Sequence, residues 1–279
     1  MATPQLTELT PPGALGDIYV SVRAAGRDSA RPAIVLLHGF KGFRSWGFFP
    51  ALADRLARAG FNVITYSNSG SGVNEVGDFV FPDRFGHNTY SAELADLRTV
   101  LTALHAGELG VPAPAALGLM GHSRGGGIAL LQAAHDRRVK ALVTWASIGS
   151  VDRWSESIKS DWRARGKVNV VNQRTQQVLP LYLDILEEVD QQGKNRLDLE
   201  AAAKLVEVPW LLLHGEEDDG VSSAESERLH AANGRPTTEL KIVNGAGHTF
   251  GAVHPLESVP ETLERTIQAT LNWFAAHLT

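Results

Sequence analysis

A single serine set among glycines carries the strongest chemical signal in the chain. The stretch Gly121-His122-Ser123-Arg124-Gly125-Gly126 closes one apolar run, Leu117-Gly-Leu-Met120, and opens another, Ile128-Ala-Leu-Leu131. A serine at the tip of a strand-to-helix turn needs small neighbours so that strand and helix can approach, and the flanking glycines supply them. The helix that follows points its free N–H groups and positive end at the hydroxyl. Arg124 N–H is thus one candidate donor to an oxyanion. A neutral hydroxyl is a weak nucleophile, so this chemistry also requires a histidine base and a carboxylate that fixes the base's tautomer.

Ten histidines are available. His38, His122 and His214 stand at the ends of apolar runs and read as buried, hydrogen-bonded structural residues. His248, in Gly245-Ala-Gly-His-Thr-Phe-Gly251, lies in a glycine-bracketed loop after the last apolar strand pattern, free to reach Ser123; His254 is the alternative. For the acid, Gly215-Glu-Glu-Asp218-Asp219-Gly220 follows the apolar run Trp210-Leu-Leu-Leu213, which sets its carboxylates at the carboxyl edge of a sheet. Asp218 is the choice, with Asp152 as the alternative. A second oxyanion donor is expected from the loop after the first buried parallel strand, where Phe40 N–H follows His38-Gly39.

The elements that must position these residues follow from the hydrophobic pattern. Asp17–Arg23 alternates and reads as an antiparallel edge strand. Ala33–Phe40, Phe61–Tyr66, Val139–Ser147 and the run from Pro209 are continuous apolar stretches, the mark of strands buried on both faces. Helical spacing recurs through Phe48, Leu52 and Leu56, through Leu94, Leu97, Leu101 and Leu104, over Ser223–Ala232, and through Leu263, Ile267, Leu271 and Phe274. Strand alternates with helix, which implies a mostly parallel, doubly wound α/β sheet. The loop from Ser67 to Tyr90 is long enough to be functional. Residues 1–148 and 209–279 form the core. Residues 149–208 interrupt it with three candidate helices, an apolar stripe through Val178, Leu181, Tyr182, Ile185, Leu186 and Val189, and no clear strand. This insertion is expected to be a helical lid, with Trp154 and Tyr182, together with Phe43 of the core, as substrate-binding residues.

Composition narrows the function. The 279 residues are 43% hydrophobic and 20% charged, enough for a large core, and the formal net charge of −5 offers no footprint for nucleic acid. No cysteine is present, which removes disulfides, a cysteine nucleophile and thiolate metal sites. No dinucleotide or phosphate-loop glycine pattern and no His-Glu-x-x-His motif occurs, so no cofactor or metal is expected. The first residues carry neither a basic nor an apolar signal region, and no run reaches the length of a membrane span. A soluble cytoplasmic monomer or homodimer is expected.

Taken together, the chain order Ser123, Asp218, His248, the His38-Gly39-Phe40 turn and the Gly121–Gly126 elbow resemble the α/β-hydrolase superfamily, and within it the dienelactone-hydrolase-like and prolyl-oligopeptidase-like serine esterase branch. The resemblance runs from about Ala33 onward. It implies a core of about eight strands, a Ser123-His248-Asp218 triad, an oxyanion hole from Phe40 and Arg124, and cleavage of a small-molecule carboxylic ester. True dienelactone hydrolases use a cysteine where this chain has Ser123. Amide, peptide or thioester cleavage would use the same groups, and a non-catalytic binding protein can be built on the same fold.

Overall fold

The computed structural model describes residues 4–26 and 30–278. Ten strands and nine α-helices are present among them. Eight strands form one sheet in the order β1-β2-β4-β3-β5-β6-β9-β10: β1 Gln5–Leu9, β2 Tyr19–Ala24, β3 Ala33–Leu37, β4 Asn62–Ser67, β5 Leu117–His122, β6 Val139–Trp145, β9 Trp210–Gly215 and β10 Thr238–Val243. β2 runs antiparallel to both β1 and β4, and the other pairings are parallel. The parallel strands β3, β4, β5 and β9 are buried along their whole length, which is why they read as unbroken apolar runs. β1, short and half exposed, pairs only with β2 and escaped the sequence reading.

Helices cover both faces. One face carries α1 (Phe49–Arg58) and α9 (Glu261–His277), whose Phe49, Leu52, Leu56, Leu263, Ile267 and Phe274 close on Ile34, Leu36 and Val143. The other carries α3 (Tyr90–His105), α4 (Arg124–Ala133), α7 (Leu199–Leu205) and α8 (Ser223–Asn233), packed on Val35, Leu37, Leu119 and Leu212. α2 (Pro82–Gly86) and one turn of 3₁₀ helix at Ser69–Ser71 give the long Ser67–Tyr90 loop its structure.

The insertion differs from its expected make-up. It holds three helices, α5 (Glu156–Arg165), α6 (Leu183–Gln192) and α7, but also an antiparallel hairpin of β7 (Lys167–Val171) and β8 (Val178–Tyr182). The apolar stripe read as one helix therefore begins as a strand. Val178–Tyr182 alternates exposed and buried positions, and Pro180 in its middle is unsuited to a helix interior. The helical spacing holds only from Ile185 onward, with Ile185, Leu186 and Val189 buried.

Candidate active site

Ser123 stands between the end of β5 and the start of α4 with φ 56°, ψ −120°, a backbone conformation that L-residues rarely adopt. Two features hold it there. Its N–H donates to the Trp145 carbonyl at the end of β6 (2.8 Å), and its carbonyl accepts from Gly126 N–H (3.0 Å). The turn is also too tight for side chains beside it: a Cβ on Gly121 would collide with the Gly125 carbonyl, and one on Gly125 with the carbonyl of His38. Strain of this kind persists only where the surroundings over-determine it, and here it lifts the hydroxyl clear of the strand end.

The other two residues arrive from separate strands of the same sheet edge. Asp218 follows β9, and His248 follows β10. His248 Nε2 lies 3.0 Å from Ser123 Oγ, and its Nδ1 lies 2.8 and 3.0 Å from the two Asp218 oxygens. An ionised carboxylate only accepts, so Nδ1 carries the proton and Nε2 is left to accept from the serine hydroxyl. Asp218, its side chain fully buried, also accepts from the Gly220 and Val221 N–H groups (2.9 and 2.8 Å) and lies 3.1 Å from His214 Nε2. Burial acts to raise its pKa. The hydrogen bonds from His214, His248 and Val221 outweigh that and hold it well below the usual carboxylate range.

The neighbouring histidines keep this geometry without entering it. His122 Nε2 donates to the His248 carbonyl (2.9 Å), tying the last loop to the elbow, and burial lowers its pKa to about 3. His38 accepts the Asn68 N–H at Nε2 and donates from Nδ1 to the Gly39 carbonyl; burial lowers its pKa to about 4. Both are neutral at ordinary pH. His214 is fully buried between Ser226 Oγ (2.7 Å) and the Val221 carbonyl (2.8 Å), so its proton sits on Nε2, facing Asp218 as well. Sequence reading placed His214 correctly as structural but missed that it supports the acid.

The Gly39–Phe40 backbone passes directly against Ser123, since a Cβ on Gly39 would lie 2.9 Å from Ser123 Cβ. Phe40 N–H makes no backbone bond, and Arg124 N–H, first in α4, has no intrahelical acceptor. Two free donors thus flank Ser123. The Arg124 side chain turns away into the core, where its guanidinium pairs with buried Glu93 (2.9 Å) and lies 4.2 Å from the Tyr90 ring centroid. Burial raises the Glu93 pKa despite that partner.

The alternatives considered from sequence stand elsewhere. Asp152 is engaged by Lys159 (2.6 Å), Asp219 is exposed, and His254 accepts the Gly47 N–H (3.0 Å) while stacked on Trp46. A cavity of about 280 Å³ opens beside Ser123, lined by Phe40, Lys41, Trp46, Phe49 and His248 of the core and by Asn172, Gln173 and Arg174 of the insertion. None of Trp154, Phe43 and Tyr182 lines it. Trp154 packs edge-on against buried Trp162, at 5.0 Å between centroids. Phe43 is buried against the His254 ring, and the Tyr182 hydroxyl donates to Asp83 (2.7 Å) of α2. What the insertion brings to the cavity is the turn of its hairpin, and the alternating Lys167-Val-Asn-Val-Val171 was the sequence signal for it.

Residues 34–264 match the alpha/beta hydrolase family, and the chain belongs to it. The 2,6-dihydropseudooxynicotine hydrolase of Paenarthrobacter nicotinovorans is 24% identical over 203 residues, which are 72% of this chain and 48% of that protein. This chain therefore spans about half the length of that relative. Among solved structures, the alpha/beta hydrolase GrgF from Penicillium sp. sh18 superposes with a TM-score of 0.75 at 14% identity, covering 98% of this chain and 99% of that one. A dienelactone hydrolase from Anabaena variabilis gives 0.63 at 17% identity, covering 100% of both. The esterase-named Est1E from Butyrivibrio proteoclasticus gives 0.69 at 14% identity, over 96% and 98%. At these identities the likeness is one of fold.

Proposed function

We propose that the protein is a serine hydrolase that cleaves carboxylic ester bonds of small to medium acyl substrates. The observation that carries this reading is His248, hydrogen-bonded on one side to Ser123 and on the other to a buried, ionised Asp218. As Ser123 Oγ attacks the ester carbonyl carbon, its proton passes to His248 Nε2. The imidazolium that forms is stabilised by Asp218, which stays ionised. The tetrahedral oxyanion faces the Phe40 and Arg124 N–H groups, whose donors are already oriented and need no reorganisation. Collapse expels the alcohol, which takes the proton from His248 and leaves an acyl group on Ser123. A water then attacks this acyl-enzyme and gives its proton to His248. The second collapse releases the carboxylic acid and returns the proton to Ser123 Oγ.

The cavity supports the substrate size. Its volume of about 280 Å³ lies at the lower edge of ordinary ligand pockets, about 300–1,000 Å³. Residues 149–208 act in this reading as a cap, supported by Asn172, Gln173 and Arg174 on the cavity wall. The test is covalent labelling. A fluorophosphonate probe is expected to modify Ser123 in the intact protein, and Ser123→Ala is expected to abolish labelling and lower ester turnover by about 10³-fold or more with an unchanged melting temperature. Retention of a tenth of the turnover in that variant would refute the assignment.

A further inference from the structure

The cavity beside Ser123 has a charge pattern unlike that of the molecule around it. The chain has more carboxylates than cations, 31 against 26, yet no aspartate or glutamate lines this cavity, whereas Lys41 and Arg174 both do. They come from different parts of the fold: Lys41 from the loop after β3, Arg174 from the turn between β7 and β8. Among the described residues neither pairs with a carboxylate, in contrast to Arg124, Arg153 and Lys159. We propose that this pair receives a carboxylate at the far end of the substrate's acyl group, so that the preferred substrates are monoesters of small dicarboxylic acids. The inference rests on the serine hydrolase reading for the position of the scissile bond.

Both cations are held but not used up. Lys41 Nζ donates to the Val171 carbonyl (3.3 Å), which bridges the core loop to the hairpin and leaves two further N–H directions open. Its backbone has φ 60°, so a lysine stands where the conformation favours glycine. Arg174 is fixed at its backbone, where its N–H donates to Asn172 Oδ1 (3.1 Å), and its guanidinium lies over the Phe43 ring with 5.6 Å to the centroid. Among the described residues no hydrogen-bond acceptor or carboxylate engages the guanidinium itself, which leaves its N–H fork for a carboxylate. Phe40, Trp46 and Phe49 supply an apolar part of the wall that suits the methylene chain between the ester and the distal acid.

The experiment compares two para-nitrophenyl esters of similar length, the adipic acid monoester and the neutral heptanoate, with enzyme-free hydrolysis subtracted. In wild type the ratio of kcat/KM values is expected to favour the adipate ester by about tenfold or more at low salt. The ratio should fall severalfold in Lys41→Gln and in Arg174→Gln, and approach one in the double variant. It should also fall in about 1 M NaCl, where the screening length is about 3 Å. Calorimetric binding of adipate itself to wild type and to the double variant separates the two readings. Adipate binding that the double variant loses, with neither ester hydrolysed, would retain the anion site and overturn the esterase reading. Hydrolysis of the heptanoate with no preference for the adipate ester, or a preference unmoved in the double variant, would overturn the anion site and leave the esterase reading standing.

Discussion

Asp218 is met by His248, His214 and the Gly220 and Val221 N–H groups, and Asp219 beside it receives none of these contacts. Asp218→Asn is expected to lower ester turnover by about 10³-fold or more, because an amide in that place disturbs the His248 tautomer, while Asp219→Asn on the exposed side should change it less than about twofold. Parallel kcat measurements on the two variants decide it, and a larger loss at Asp219 would mean the wrong acid. In the proposed mechanism His214 acts through Asp218 as a positioning residue, with its Nε2 3.1 Å from the carboxylate. His214→Asn should lower kcat about tenfold with little change in KM for a small ester, since it loosens the acid without touching the cavity. A rise in KM with kcat preserved would contradict that role. At this scale the three residues that the structure brings together, Ser123, His248 and Asp218, stood out in the sequence because each sits at a fixed offset from an apolar run or a glycine turn. The support from His214 was not, because a buried histidine looks the same in sequence whether it serves a carboxylate or only fills space.

At the scale of elements, the strands of the sheet announced themselves and the hairpin did not. A strand buried on both faces is a block of apolar residues, as in Trp210-Leu-Leu-Leu213, whereas β7 and β8 are half exposed and short, and β8 runs directly into α6. Two residues later the period changes from two to about four, and the stripe reads as one helix unless Pro180 is given its weight. The helical reading of this stretch went with Tyr182 on the cavity wall, whereas Trp154 was expected there because it closely follows the end of β6. Trp46 does line the cavity, and in the proposed reading it is the residue that would select acyl size. Trp46→Ala should shift ester preference toward longer acyl chains, each accommodated methylene being worth about 1–3 kcal/mol in an apolar site. Trp154→Ala should leave that preference alone and lower the melting temperature, because it strips the partner from Trp162. Equal shifts in chain-length profile for the two variants would mean that the wall is drawn wrongly.

For the whole molecule, the buried neutral histidines couple fold to pH. The ordinary histidine value is 6.5, and His38 in the folded chain is lowered to about 4, chiefly by burial. Between those values the unfolded chain holds a proton that the folded chain refuses, so stability rises with pH through this window and falls on acidification. The full difference at His38 is worth about 3 kcal/mol, complete once pH has dropped to about 4. His122 adds in the same direction. Urea midpoints measured from pH 6.5 downward should decline less steeply in His38→Gln than in wild type; identical slopes would remove His38 as a cause. The doubly wound order of the sheet was readable because strand and helix patterns alternate along the chain. β1 was not, since an exposed edge strand of five residues, seeing only one neighbour, needs no apolar face to be stable.

The sheet order has a consequence in time. Ser123 follows a strand near the middle of the order, yet its partner His248 follows β10, an edge strand that comes after the other seven strands of this sheet along the chain. A growing chain thus carries its elbow for more than a hundred residues before any base exists to deprotonate the hydroxyl. The His248 loop then depends on α9, the final helix, whose Leu263 and Phe274 pack with Phe250 in one cluster. In the proposed mechanism Ser123 therefore lacks its base until the His248 loop has been made and has packed with α9.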